Sequence, residues 1–113
     1  MKSCDYCQVY AAFQEELEKL RSVLTAEELK LPELQRTWQR VQAIFQNQVM
    51  PLCGGDLDPL TFSSWQSVQT EIHREMRLLS TELMFLQLDR FGRKQQGARD
   101  RLDKIIGFCQ MLQ

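Results

Sequence analysis

Two cysteines near the N-terminus, Cys4 and Cys7, have a spacing that is typical of metal and redox sites. Zinc needs two further ligands, and the cysteines that remain in the chain are Cys53 and Cys109. In an up-and-down helical bundle all of them would gather at one end of the molecule. Cys109, however, falls on the apolar face of a predicted helix, where cysteine usually acts as a small buried hydrophobic residue. We expect no metal and no other cofactor, with a four-cysteine zinc site as the alternative.

His73 is the only histidine of the chain. A single histidine on a helix of a small four-helix bundle suggests a phosphotransfer domain. Such domains typically carry lysine and glycine at the third and fourth following positions, where this chain has Met76 and Arg77. Arg74 and Arg77 could neutralise a phosphoryl group. The helical period puts His73 about 100° from the apolar seam, so we expect it to be at least partly exposed. It is either a phosphoacceptor or a boundary residue without chemistry.

Basic residues concentrate near the C-terminal third of the chain, at Arg90, Arg93, Lys94, Arg99 and Arg101, against the single acidic residue Asp100. They form either a docking patch for an acidic partner or anion, or a basic turn with no role. Gly54-Gly55 is no phosphate-binding loop, because no predicted strand precedes it and no Lys-Ser/Thr follows. A chain with one histidine also has no Ser-His-Asp or Cys-His arrangement beyond one that His73 could join. We therefore expect no enzyme.

Length and composition limit the remaining classes. The 113 residues suit one domain, and 43% hydrophobic and 26% charged residues are ordinary for a globular protein. A net charge of −1 argues against a nucleic-acid binder, whose affinity comes largely from neutralised phosphates. The uninterrupted apolar runs of the chain, such as Leu83–Leu86, are far too short to span a membrane. Without a signal-peptide pattern at the N-terminus, the chain is expected to be cytoplasmic, with reduced cysteines.

The stretch Phe62–Phe91 organises the predicted fold, because it contains neither proline nor glycine. Its apolar residues recur every three or four positions and line one face of a helix: Trp65, Val68, Ile72, Met76, Leu79, Leu83 and Leu86. From Leu78 onward apolar residues point nearly all round the axis. A helix of that kind must be covered on more than one side.

Three further helices follow from the same periodicity, which gives predicted helices at about 5–24, 32–50, 59–91 and 97–112. Thr25-Ala-Glu-Glu28 resembles a capping box and predicts a break at Thr25 with a short extra turn before Pro32. Asp58-Pro59 predicts the N-terminus of the third helix. The glycine pair Gly92 and Gly97 predicts a reversal between them, with one continuous helix as the alternative.

Four amphipathic helices with short connections predict an all-α fold, an antiparallel up-down-up-down four-helix bundle with a long third helix. No segment shows the period-two alternation of a strand. Residues that share the seam register are expected to be buried together: Leu17, Trp38, Val41, Ile72, Leu79, Leu83, Leu102 and Ile105.

A bundle covers only about half of the circumference of a helix, so the third helix should keep apolar residues on its surface. Measured from the seam between Leu79 and Leu83, Met84, Phe85 and Leu88 point about 120°, 140° and 160° away. We expect one or two of them to stay exposed beside the basic turn. The predicted partner-binding or self-association surface is Met84, Phe85, Leu88 and Phe91 with Arg90, Arg93 and Lys94. In the alternative, the fourth helix and the N-terminal segment cover this end.

Two segments, IHREMRLLSTELMFLQLDR at Ile72–Arg90 and RDRLDKIIGFCQMLQ at Arg99–Gln113, carry a family resemblance. With the chain length and helical layout, they resemble PatD, the heterocyst frequency control protein family of cyanobacteria. The resemblance implies a small non-enzymatic regulator of heterocyst differentiation and cell division that acts by protein–protein interaction. It implies the cell-division GTPase FtsZ as a partner. Independently of the resemblance, the predicted surface leaves a homodimer as a further option. The family brings no catalytic residues, and Cys4 and Cys7 are not part of the resemblance.

Overall fold

Four α-helices follow one another in the computed structural model, which describes the backbone of residues 2–88 and 93–113 and the side chains of 6–86 and 95–113. They are α1 (Lys2–Thr25), α2 (Leu31–Ile44), α3 (Pro59–Leu88) and α4 (Arg93–Met111), and a π-helical segment, Phe45–Val49, continues α2. The described residues form no strand. The prediction of an all-α four-helix bundle is therefore confirmed.

The end of α1 differs from its prediction in one respect. The helix ends at Thr25, as predicted, but residues 26–30 are not helical and form no extra turn. The Thr25 hydroxyl donates backward to the Ser22 carbonyl at 3.1 Å, so it does not cap a new helix. Only five residues separate Thr25 from Leu31, where α2 begins. The chain crosses this short gap with bends, and Pro32 takes its expected place in the first turn of α2.

The π-helical segment at the end of α2 is a feature that the periodicity did not predict. The Met50 amide donates to the Phe45 carbonyl at 2.8 Å, a bond to the fifth residue back. Phe45 and Val49 are both buried there. The Val49 carbonyl accepts the Gln69 side-chain amide of α3 at 3.0 Å. A tertiary hydrogen bond thus holds the segment, and sequence periodicity carries no signal for it.

The N-terminus of α3 is capped as Asp58-Pro59 predicts. Asp58 accepts the Thr61 amide at 2.9 Å through one carboxylate oxygen and the Thr61 hydroxyl at 2.8 Å through the other. These hydrogen bonds, the backbone amide first, lower the pKa of the Asp58 carboxyl.

The start of α4 corrects the predicted turn. Residues 93–97 are helical and α4 begins at Arg93, not at Gly97. Residues 89–92, which connect α3 to α4, lie outside the described part of the chain. Gly97 sits inside α4, where glycine costs only about 1 kcal/mol. The first turn of α4 is held by its neighbours, because the Gln95 side chain donates to the Leu24 carbonyl at the end of α1.

Contacts between helices establish the antiparallel order. Later residues of α1 meet earlier residues of its neighbours: Phe13 contacts Phe45 whereas Glu16 pairs with Arg40. In the same way Arg21 binds Asp103 of α4 whereas Leu24 binds Gln95. Arg101 of α4 reaches back to Glu75 of α3. The backbone of α1 lies close to those of α2 and α4, and α3 lies close to α4, whereas α2 and α3 approach less closely. The seam between α2 and α3 is therefore the most open edge of the bundle.

The predicted core is buried with one exception. Leu17, Val41, Ile72, Leu79, Leu83, Leu102 and Ile105 are all buried in one cluster. Trp38 is only partly buried and packs against the edge of that cluster. Around the axis of α2, Trp38 points in a different direction from Thr37 and Arg40, which face α1. Trp38 thus belongs to the edge of α2 that borders the open seam.

Candidate functional site

One face of the C-terminal half of α3 points away from the bundle. Helical positions within about 60° of Thr81 share this direction. We call the six positions from Arg74 to Phe85 that do so the outer stripe: Arg74, Arg77, Leu78, Thr81, Met84 and Phe85. Its three apolar members keep 37% (Leu78), 60% (Met84) and 45% (Phe85) of their surface exposed. On the opposite side of α3, Leu79, Leu83 and Leu86 are buried.

The structure places the predicted interaction surface only in part. Met84 and Phe85 are exposed, as expected for one or two of the apolar residues at this end. Leu78 belongs to the same face, although the predicted surface did not include it. Five predicted members lie outside the described side chains: Leu88, Phe91, Arg90, Arg93 and Lys94. Of these, Leu88 ends α3, and Arg93 and Lys94 open α4.

Glu75 and Glu82 of α3 turn toward α4, so the outer stripe itself carries arginines and no acidic residue. Glu75, only 3% exposed, binds Arg101 of α4 at 2.6 Å, and Arg101 also binds Glu82. The hydrogen bond to Glu82 first, and that to Glu75 as well, raise the pKa of the Arg101 guanidinium against the opposing effect of burial. Because the glutamates are engaged across the α3–α4 interface, they do not face outward beside the stripe.

The two arginines of the outer stripe are differently placed. Arg74 stays largely exposed and makes long ion pairs with Glu71 (3.5 Å) and Glu75 (3.6 Å). Arg77 is exposed and has no ion pair with any described residue. The exposed pair of Arg74 with Glu71 contributes little energy, but Arg74 also faces the buried Glu75, so Arg77 is the guanidinium more open to an incoming anion.

His73 lies at the edge of the outer stripe that borders α2. Its ring meets the Phe45 ring edge-on, with centroids 5.0 Å apart, and the side chain is half-buried. Burial first, and the charge of Arg77 second, lower the pKa of the imidazole. Neutral His73 therefore faces an open groove of about 430 Å³, which Cys53, Gln66 and Thr70 also line. The expectation of partial exposure is confirmed.

The cysteines differ in burial. Cys7 is half-buried, Cys53 is exposed and Cys109 is buried, while the side chain of Cys4 lies outside the described residues. Burial raises the pKa of the Cys109 thiol to about 12. Among the described residues, no group of three or more His, Cys, Asp or Glu side chains is arranged to hold a metal ion.

A chain of buried hydrogen bonds joins the N-terminal half of α1, the N-terminal half of α3 and the π-helical segment, and the sequence analysis did not predict it. The Trp65 indole N–H donates to the Tyr10 hydroxyl at 2.8 Å, and that hydroxyl donates to the Gln69 side-chain oxygen at 2.6 Å. Gln69 in turn donates to the Val49 carbonyl. Every one of these groups has a partner, so the chain fixes the relative positions of α1, α3 and the π-helical segment. A glutamine on the apolar face of α3 was the one available signal.

Tyr6 of α1 holds the loop that precedes α3. The Tyr6 hydroxyl accepts the Gly54 amide at 2.9 Å and contacts the Asp56 carboxylate at 3.2 Å. Gly54 has a φ of 70°, and a Cβ there would lie 2.6 Å from the Trp65 ring. Glycine is therefore required at this position by both backbone conformation and space.

Comparisons with known proteins add no further constraint. No family model, curated protein or solved structure matches this chain. In the part of the chain that the structure describes, no helix is both long and apolar enough to cross a bilayer. The fold and its surface define the class: an all-α four-helix bundle with an apolar and cationic face on its third helix.

Proposed function

We propose that this protein is a small non-enzymatic regulator that acts by protein–protein interaction, with the outer stripe as its binding surface. The exposure of Leu78, Met84 and Phe85 on one helical face is the observation that carries the proposal. Exposed apolar surface bordered by charge marks interaction sites. Methionine, phenylalanine and arginine are also the residue types that interfaces favour.

A finer form of the proposal follows from the resemblance of Ile72–Arg90 and Arg99–Gln113 to the PatD family. In that form the protein works in the cytoplasm of a cyanobacterium and sets how many cells of a filament become heterocysts. Its partner is FtsZ, and self-association into a homodimer is the competing mode of the same surface. The predicted surface also includes Leu88, Phe91, Arg90, Arg93 and Lys94, which follow the outer stripe in the sequence.

Photo-crosslinking in cells tests the general proposal. A benzophenone-bearing amino acid in place of Met84 should give a discrete protein adduct on irradiation. The matched control places the same group at Leu60, which is 85% exposed on α3 but lies outside the outer stripe. An adduct from position 84 alone supports the proposal. Equal adducts from both positions, or none from position 84, contradict it.

Co-sedimentation with purified FtsZ tests the finer form. The wild-type chain should sediment with FtsZ polymers, and Met84→Glu should abolish this while Leu60→Glu leaves it unchanged. Both variants add one charge at an exposed apolar site of the same helix, so a general charge effect would weaken both. Absence of wild-type co-sedimentation contradicts the FtsZ assignment. The general proposal of a protein partner would then be judged by the crosslinking experiment alone.

A second candidate function is phosphotransfer through His73. The observation that favours it is a neutral imidazole at the edge of an open groove, with Arg77 close enough to lower its pKa. A neutral imidazole nitrogen can attack a phosphoryl donor, and Arg77 can stabilise the transferred group. Incubation with acetyl phosphate followed by intact-mass measurement tests it. A phosphoryl adduct that is absent in His73→Gln supports phosphotransfer, and no adduct on the wild-type chain contradicts it.

A further inference from the structure

We infer that the occupant of the outer stripe is an acidic amphipathic helix of a partner protein. This inference rests on the proposed function, which says only that a protein binds there. It adds the chemistry of the partner: apolar side chains on one helical face, flanked by aspartate or glutamate.

The charge of the α3 surface is the first argument. All positions of α3 that face outward with Thr81, from Ser63 to Phe85, carry Ser, Gln, Thr, Arg, Leu, Met or Phe. None of these positions is acidic: Glu75 and Glu82 lie on the side of α3 that binds Arg101 of α4, and Glu71 lies beside Arg74 at the edge of the face. The face therefore presents two arginines, of which Arg74 pairs with Glu71 and Glu75 and Arg77 has no ion pair with a described residue. Complementary charge is what selects a partner and excludes others at such a surface.

The shape of the surface is the second argument. Leu78 and Phe85 are seven residues apart and Met84 adjoins Phe85, so the apolar part covers about two helical turns. An extended row of this kind suits a helix that contacts it at positions i, i+3 or i+4, and i+7. The less close approach of α2 to α3 leaves the neighbouring seam open, with partly buried Trp38 at its border. A fifth helix can lie along this side of α3.

The order of residues along the stripe determines which part of the partner helix lies beside which end of the stripe. Arg74 and Arg77 lie at its N-terminal end, and Met84 and Phe85 lie at its C-terminal end. A partner helix should therefore place its acidic turn beside the arginines and its apolar turn beside Met84. Both contacts fit within about 17 Å, the length of the stripe at 1.5 Å per residue.

A second copy of the chain fits this surface less well. A twofold contact through the stripe pairs it with itself, so the same residues must serve both sides. Paired parallel, the arginines of the two copies would repel one another. Paired antiparallel about Thr81, each Arg77 would lie on the apolar end of the other copy with no outward-facing carboxylate to bind. A guanidinium desolvated without a partner is costly.

Selection from a displayed library tests the inference. The library presents amphipathic helices whose apolar face is kept and whose flanking positions encode Glu, Gln or Lys in equal shares. It is selected on the wild-type protein and depleted on Met84→Glu. We expect enrichment of Glu over Lys at the flanking positions. Enrichment of Gln or Lys, or no clone that depends on Met84, overturns the inference.

Fluorescence anisotropy of the most enriched helix gives the residue-level test. Met84→Glu should abolish binding, and Arg77→Glu should weaken it by about tenfold or more, with weaker binding of the wild-type protein at higher salt. Leu60→Glu and Arg36→Glu are the matched controls, exposed residues outside the stripe that should bind normally. Equal loss in Arg36→Glu and Arg77→Glu would show a general charge effect and would also overturn the inference.

The outcomes separate this inference from the proposed function. A cellular adduct at position 84 without enrichment of acidic helices leaves the proposed function standing and removes the acidic partner. Enrichment of acidic helices without a cellular adduct contradicts the proposed function, and with it a cellular partner, and shows only that the stripe can bind an acidic helix in solution. A wild-type dimer that Met84→Glu dissociates, seen by sedimentation, would identify a second copy as the occupant and overturn the inference.

Discussion

The hydroxyl of Tyr10 and the side-chain oxygen of Gln69 are joined by a 2.6 Å hydrogen bond in the core, between α1 and α3. The same hydroxyl accepts the Trp65 indole N–H at 2.8 Å. Burial raises the pKa of Tyr10 well above its ordinary value, so the group is a neutral phenol that can donate and accept at once. One atom thus satisfies two polar groups that water does not reach.

Tyr10→Phe should destabilise the protein more than the loss of one hydrogen bond suggests. The change leaves the Trp65 N–H and the Gln69 oxygen without this partner, and a buried unsatisfied group costs roughly 1–3 kcal/mol. Urea unfolding followed by circular dichroism measures the free energy of unfolding. Tyr10→Phe combined with Gln69→Leu should cost less than the sum of the single changes, because the two residues share one bond. Strict additivity would show that the bond contributes nothing.

Two glycines should respond to alanine with opposite signs. Gly54→Ala places a Cβ within 2.6 Å of the Trp65 ring at a φ of 70°, and should cost at least about 2 kcal/mol. Gly107→Ala in α4 meets no atom within 4 Å and should stabilise the protein by up to about 1 kcal/mol. Thermal unfolding of both variants provides the comparison. A stabilising Gly54→Ala would show that the loop clamp at Tyr6 does not constrain this residue.

Arg101→Ala should be among the most damaging charge removals. It leaves the buried Glu75 carboxylate with only the 3.6 Å contact to Arg74, and an unpaired buried charge costs about 3–5 kcal/mol. Arg21→Ala breaks the exposed pair with Asp103 and should cost no more than about 1 kcal/mol. Equal losses in the two variants would contradict the assigned role of the α3–α4 ion pairs.

His73 should make stability depend on pH. Its folded pKa lies below the ordinary 6.5, so the unfolded chain binds more protons in this range. The stabilising contribution of the neutral ring is full above the ordinary pKa and declines as pH falls below it. His73→Gln should therefore lose less stability than the wild type between about pH 7 and pH 5. The comparison uses urea unfolding at each pH, and parallel pH profiles would exclude a depressed pKa at His73.

Periodicity in the sequence was enough to establish four helices and most of the core. Buried positions such as Leu17, Ile72 and Leu102 recur at helical spacing, and this signal is local in the chain. Local chemistry also specified the Asp58 cap, because the capping carboxylate and its amide are three residues apart. The exposure of Met84 and Phe85 followed from the helical angle alone.

Tertiary structure decided what depends on residues far apart in the chain. The Gln95 side chain donates to the Leu24 carbonyl where α4 begins ahead of Gly97. The Gln69 side chain donates to the Val49 carbonyl in the π-helical segment. The orientation of Glu75 and Glu82 toward Arg101 made the outer stripe cationic. Such contacts join groups that lie 19 to 71 positions apart. Their free energies depend on which helices become neighbours, so only packing the whole chain determines them.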